Sequence, residues 1–299
     1  ADKHYLFNSV KIEEFDFFLL YGTDVTDKKD KERILQKLSK YFSPQVYNSI
    51  FSGELDVTIN TKRKELTVFF SDIKGFTTMA EKLEPEILTN LITDYLTKMT
   101  EIAISSGGTV DKYIGDAIMA LFTKKSSDAV YSAIDMLSKL DALNKERIKQ
   151  GLPNISIGIG INTGSVMLGT LGVPDRMEGS VISDTVNLSA RLEELTKFYK
   201  VPLIISSETE SNLSSSIQRR EIDIIEVKGK KNKVRIFEVF QWEQKRTRDK
   251  KIELSSVFSE ALELYRNNDL KTCHKILKKY EKELSDDPIL QLYLNRCKD

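Results

Sequence analysis

Phe69-Phe70-Ser71-Asp72-Ile73-Lys74-Gly75-Phe76-Thr77 decides the reading of this chain, together with Asp111-Lys112-Tyr113-Ile114-Gly115-Asp116-Ala117-Ile118-Met119. In each stretch an acidic residue stands where an apolar strand meets a turn. Hard divalent cations take oxygen ligands, so a pair of strand-end carboxylates suits them. The turn after Asp72 holds Gly75 and the hydroxyl of Thr77. Free backbone N–H groups at such a turn can cradle a phosphate. Two carboxylates beside a phosphate-binding turn point to two-metal phosphoryl chemistry.

Working outward, Leu66 to Phe70 reads as a buried strand. Pro85 to Ser105 reads as a helix, with Ile87, Leu88, Leu91, Ile92, Tyr95, Leu96 and Met99 on one face and Gly107-Gly108 ending it. Thr109–Ile114 and Ala117–Phe122 form a hairpin around Gly115-Asp116. Ser127 to Gln150 is a second long helix, and Asp184 to Tyr199 a third, with Asp184 as its expected N-cap. Ile155–Ile161, Ser165–Leu168, Leu203–Ile205, Arg220–Val227 and Val234–Val239 are the remaining strands. Strands mixed with two or three covering helices predict an α/β sandwich of ferredoxin-like type over residues 61–244.

The flanks read differently. Residues 1–23 contain one strand, Phe15 to Tyr21, closed by Gly22, and are too few to build a core. Residues 24–60 are a linker helix, with Leu35, Leu38 and Phe42 as a two-helix seam, and a segment broken by Pro44. Residues 245–252 look like a charged linker, and 253–299 like a small all-helical extension that must dock on the main domain or on a partner.

Composition narrows the function. The 299 residues carry 45 basic and 45 acidic side chains, which argues against a broad nucleic-acid footprint. The two cysteines, Cys273 and Cys297, lie in the tail, so no disulfide framework or cysteine zinc site is visible and a reducing, cytoplasmic setting is expected. The longest apolar runs are far shorter than a bilayer span, so no membrane contact by this chain is expected. The abrupt N-terminus reads as cut from something longer, whose further segments could include a sensor or a membrane anchor.

Residues 60–241 resemble the catalytic domain of class III nucleotidyl cyclases. The resemblance rests on four motifs in order: Phe69–Thr77, Lys112–Phe122, Ser180–Glu193 and Val227-Lys228-Gly229-Lys230. It implies that Asp72 and Asp116 bind metal, with the Ile73 carbonyl as a further ligand. It implies two cations per site, Mg2+ or Mn2+. It places Gly75, Phe76 and Thr77 around the triphosphate, Lys112 and Ser180 on the base, Asn187 on the ribose, Arg191 on the α-phosphate and Lys228 on the terminal phosphates. Because one chain carries both halves of the site, the resemblance implies a head-to-tail homodimer with two shared sites. Residues 15–30 resemble the end of a PAS sensor domain, and the tail a tetratricopeptide-like helical hairpin. Gly179 and Ser183 depart from the family pattern, which often has an aromatic and a glycine there.

The chemistry agrees with this assignment. Attack of a ribose 3′-hydroxyl on an α-phosphate builds charge that two cations and a guanidinium fork can stabilise. Asn187 and Arg191 are four apart and share a helix face. The only histidines, His4 and His274, lie outside the domain, so neither is the base. Lys112 only donates, which suits the adenine N1 acceptor and opposes guanine N1–H. The expected reaction is ATP to 3′,5′-cyclic AMP and pyrophosphate. The alternatives are a guanylyl cyclase and an inactive nucleotide-binding module.

Overall fold

The structure, a computed structural model, describes residues 3–12, 17–38, 62–173, 176–226 and 233–298. Phe42, Pro44 and the rest of the 43–60 linker fall outside these residues, as does Lys228. The chain divides into two compact units: residues 1–60 with 170–179, and residues 61–169 with 180–299.

The first unit contains a hairpin where the sequence suggests one strand. Strands β1 (Tyr5–Ile12) and β2 (Phe17–Asp24) pair antiparallel, from Tyr5 opposite Asp24 to Ile12 opposite Phe17. Helix α1 (Thr26–Leu38) follows. Asp24 sets its entry, its carboxylate accepting from the Thr26 N–H at 2.9 Å and the Thr26 hydroxyl at 2.6 Å.

The second unit is built on a long sheet. Its strands are β3 (Lys62–Ile73), β4 (Gly108–Ile114), β5 (Ala117–Phe122), β6 (Ile157–Val173, of which residues 170–173 count with the first unit), β8 (Leu203–Ser206), β9 (Arg219–Glu226) and β10 (Lys233–Val239); β7 (Arg176–Ile182), mostly of the first unit, pairs with β6. The order is β4-β5-β3-β6-β8-β10-β9, antiparallel throughout except for the parallel β6–β8 pair. Helices α2 (Phe76–Ala80), α3 (Pro85–Ser105), α4 (Ser126–Lys149), α5 (Asp184–Tyr199) and α6 (Ser207–Glu210) complete the mixed α/β fold. The β3-α3-β4-β5-α4-β6 run is a ferredoxin-like unit.

Strand β3 shows why its sequence is apolar almost throughout. Phe69 and Ile73 pack with α3 and α4, burying Leu91, Tyr95, Met99, Met136 and Leu137. Leu66, Val68 and Phe70 face the other way, against Met119, Val166 and Val181. A strand buried on both faces needs no polar alternation. Ile87, expected on the apolar face of α3, is 45 % exposed, while Leu91, Tyr95, Met99 and Ala103 carry the burial.

Strand β6 corrects the sequence reading, which splits it in two around Asn162-Thr163-Gly164. These residues continue the ladder, with Gly164 opposite Leu66 on β3. The glycines of β6 make room for α5. A Cβ on Gly160 would lie 2.2 Å from the Glu193 backbone nitrogen, and one on Gly164 would lie 2.8 Å from the Thr185 hydroxyl. Ser189 then reaches through to donate to the carbonyls of Val68 (2.7 Å) and Gly160 (2.9 Å), tying α5 to both central strands. The N-cap of α5 is Ser183, whose hydroxyl accepts from Val186 N–H, and not Asp184 as expected. The serine that departs from the family pattern thus starts this helix.

The expected charged linker at 245–252 is helix α7 (Lys245–Glu253). Its basic run is stabilised from the sheet: Lys251 is 3 % exposed and is paired with Glu238 at 2.8 Å and with Glu243. Helices α8 (Ser255–Arg266), α9 (Leu270–Lys278) and α10 (Pro288–Arg296) follow. They share a core with the sheet and α5, joining Leu192, Tyr199, Ile204, Ile222 and Ile236 to Phe258, Leu262, Leu277, Leu290 and Tyr293. Buried Arg220 bridges Glu238 (2.7 Å) and Asp287 (2.8 Å) beneath the Phe258 ring, and Asp287 also caps α10. Asp223 accepts from both the Tyr199 hydroxyl and Arg296 at 2.7 Å, which fixes the end of α5 to α10. No helix among the described residues is long and apolar enough to cross a membrane.

Candidate active site

The site is built where the central strand β3 ends. Asp72 is the penultimate residue of β3, and Asp116 sits in the β4–β5 turn behind Gly115, whose φ of +64° calls for glycine. The two meet because β5 pairs with β3. Asp116 Oδ2 accepts from the Ile73 N–H at 3.1 Å. Burial, and then the neighbouring Asp72 carboxylate, push Asp116 up to about 6. Two carboxylates that disturb one another are relieved by a positive charge between them.

In the chain itself that charge comes from α5. Lys197 donates to Asp72 Oδ2 at 2.9 Å and lies 3.8 Å from Glu193. The Asp72 contact raises Lys197 above the usual lysine range. Glu193 is pushed up to about 7 by burial. Beside them Lys74, lowered to about 8 by burial, donates to the carbonyls of Thr196 and Val201, each at 3.2 Å. Lys74 and Glu193 fall inside the quoted motifs without a role of their own, and nothing in the sequence singles out Lys197. They are ordinary helix and turn charges until the fold carries α5 over the end of β3.

The turn after Ile73 is pinned by the Lys74 N–H to the Ser156 carbonyl at 2.8 Å. Gly75 then adopts φ +70° and opens α2. Phe76 anchors in the first core, and Thr77 is exposed. First-turn N–H groups of a helix have no intrahelical acceptor, so they are free to meet phosphate oxygens. Among the described residues no cluster of three or more His, Cys, Asp or Glu could hold a metal. Two carboxylates and the Ile73 carbonyl are nonetheless the oxygen donors that Mg2+ uses when substrate phosphates and water complete its shell.

The other proposed positions lie elsewhere. Lys112 stands on β4 just past an irregularity at Asp111, an extra residue in the β4–β5 register that re-aims the side chains after it. Its ammonium is 3.6 Å from Asp111, which burial pushes up. Ser180 lies on β7. Asn187 is exposed and Arg191 half-buried on α5, and neither side chain makes a hydrogen bond or ion pair among the described residues. Arg191 is separated from Lys197, the residue that reaches Asp72, by about 9 Å along the helix axis and about 120° around it. One chain therefore unites Asp72 with Asp116, while among the described residues neither Asn187 nor Arg191 makes a hydrogen bond or ion pair with them.

Comparison with known proteins shows the family of this chain. Residues 59–240 match the family described as "Adenylate and Guanylate cyclase catalytic domain". An adenylate cyclase of Anabaena cylindrica is 44 % identical over 211 residues, 68 % of this chain and 41 % of that protein. A terminal-differentiation-specific adenylate cyclase of Dictyostelium discoideum is 31 % identical over 242 residues, 78 % of this chain and 11 % of that protein. The chain thus spans less than half the length of these curated relatives. Among solved structures, the adenylyl cyclase CyaB from P. aeruginosa is 37 % identical with a TM-score of 0.56, covering 63 % of this chain and 98 % of that one. A guanylyl cyclase is 30 % identical with a TM-score of 0.54, covering 60 % and 94 %. From its strand-end carboxylates to the helix laid across its glycine-lined strand, this chain belongs to the adenylate and guanylate cyclase catalytic domain family.

Proposed function

We propose that the chain is an adenylyl cyclase, converting ATP to 3′,5′-cyclic AMP and pyrophosphate. The observation that carries this is the juxtaposition of Asp72 and Asp116 at the end of β3, with Asp116 pushed up by burial and then by its neighbour. Two Mg2+ or Mn2+ ions, held by Asp72, Asp116 and the Ile73 carbonyl, would activate the ribose 3′-hydroxyl and stabilise the leaving pyrophosphate. Gly75, Phe76 and Thr77 orient the triphosphate, and Lys228 binds its far end. Lys112 donates to adenine N1, and Ser180 accepts from the 6-amino group. Asn187 orients the ribose. Arg191 offers a two-pronged donor to the α-phosphate as charge builds there.

The separation of Arg191 from Asp72 within one chain supports a head-to-tail homodimer, each site taking its carboxylates from one protomer and Asn187 and Arg191 from the other. We also read residues 1–23 as the end of a PAS sensor, α1 as the signalling helix, and residues 245–299 as a tetratricopeptide-like extension. The setting is cytoplasmic, without nucleic-acid or membrane contact by this chain.

A guanylyl cyclase is the second reading, favoured by the similarity to a guanylyl cyclase structure. Lys112 opposes it. Purified chain assayed with ATP and GTP, each with Mg2+ and with Mn2+, decides. Cyclic AMP from ATP is expected. Cyclic GMP alone establishes the second reading, and no product from dimeric protein overturns both.

A further inference from the structure

Beside the proposed metal site, at the same end of the central strands, lies an open cavity of about 560 Å3. That is the size of a small-molecule site. None of the positions proposed for nucleotide lines it. One wall is cationic: Lys74 from the exit of β3, Lys197 from the last turn of α5 and Lys200 just after it. The other is apolar: Leu137 and Leu140 from α4, and Trp242 just after β10.

The charges in the wall are unequally matched. Asp141, the acid that lines the cavity, is paired with Lys145 at 2.7 Å. Asn144 is occupied by the Ile155 backbone through both ends of its amide. Lys197 is held by Asp72 and Glu193. Lys74 donates to two carbonyls and feels the Glu193 carboxylate, whereas Lys200 has no side-chain partner among the described residues. A cavity with an apolar wall, an unpartnered ammonium at Lys200 and a second, Lys74, bonded only to carbonyls among the described residues selects a ligand with one flat apolar body and one negative end. A polyphosphate would leave the leucine and indole wall unused.

We propose that this cavity binds a small aromatic carboxylate, its ring against Leu137, Leu140 and Trp242 and its carboxylate toward Lys200 and Lys74. Trp242 is the sole tryptophan of the chain, so its emission reports on this wall alone. The probe is phenylbutyrate, with the neutral phenylbutyramide as its charge-free control. Indole emission and titration calorimetry are followed in parallel on the intact chain. Saturable binding of the acid is expected, with a matching change at Trp242. The amide should bind about tenfold more weakly, because it forgoes a charge-assisted contact. Lys200→Asn should weaken the acid by a similar factor and leave the amide unchanged. Asparagine tolerates the left-handed backbone at this position, where φ is 56°. The proposal is overturned if phenylbutyrate gives no saturable heat. It is equally overturned by heat without a response at Trp242, or by acid and amide binding alike with no effect of Lys200→Asn.

Discussion

Replacing Gly160 by alanine tests the claim that β6 carries glycine so that α5 can lie on it. The new methyl would stand 2.2 Å from the Glu193 backbone nitrogen and 2.3 Å from the Ser189 carbonyl oxygen, where ordinary contact begins at 3.4 Å. Both obstacles are helix backbone and cannot rotate aside, so α5 must retreat by about 1.2 Å. Overpacking of this kind costs about 1–3 kcal/mol. The retreat also draws the buried Ser189 hydroxyl away from the Val68 and Gly160 carbonyls, leaving it unpaired for about 1–3 kcal/mol more. Relief of glycine's strand entropy returns about 0.5–1 kcal/mol. The net loss is about 1–5 kcal/mol, a large part of a domain's typical stability of about 5–15 kcal/mol. Gly164→Ala meets only the Thr185 hydroxyl at 2.8 Å, a side-chain atom that can turn, and should cost about 1 kcal/mol or less. Urea unfolding followed by circular dichroism, with unchanged slope, measures both. A loss under about 1 kcal/mol for Gly160→Ala, or a larger loss for Gly164→Ala, would refute the packing argument.

Asp116 is raised from 3.8 to about 6, so between these values the metal-free fold holds a proton that the unfolded chain has released. Stability should therefore fall as pH rises through that window, and Asp116→Asn should stabilise the metal-free protein at neutral pH in thermal melts. Metal must displace the same proton, so Mn2+ affinity by electron paramagnetic resonance should climb up to about tenfold per pH unit to about pH 6 and then level off. Arg220→Met would strand Asp287, about 1 % exposed at its side chain, while Glu238 keeps Lys251, and should cost about 3–5 kcal/mol in the same unfolding assay. Asp72→Ala and Arg191→Ala should each lose at least ~100-fold in rate. Mixed, they should recover roughly half of the wild-type rate in the heterodimer fraction, since one of its two sites is intact; no recovery despite verified subunit exchange refutes the shared site. Lys112→Glu with Ser180→Cys should lower kcat/KM for ATP by about one to two decades, because the new carboxylate faces adenine N1 with nothing to donate. Unchanged ATP use would remove both residues from the base.

Local chemistry determined much of this protein before any fold was in view. The apolar run into Asp72, the Gly115-Asp116 hairpin and the Pro85–Ser105 and Asp184–Tyr199 helices could be read because periodicity and turn residues act over a few positions. Only the tertiary structure decided what the β6 glycines are for, since a glycine that ends a strand and one that admits a helix look alike in one dimension. The same holds for the basic run at 245–253, which reads as solvated linker until Glu238 and Glu243 meet Lys251. It holds most for the site: Lys197 lies far along the chain from Asp72, and no spacing rule connects them. Their pairing follows from α5 crossing close over β6, and that crossing is possible only where the strand carries no side chain.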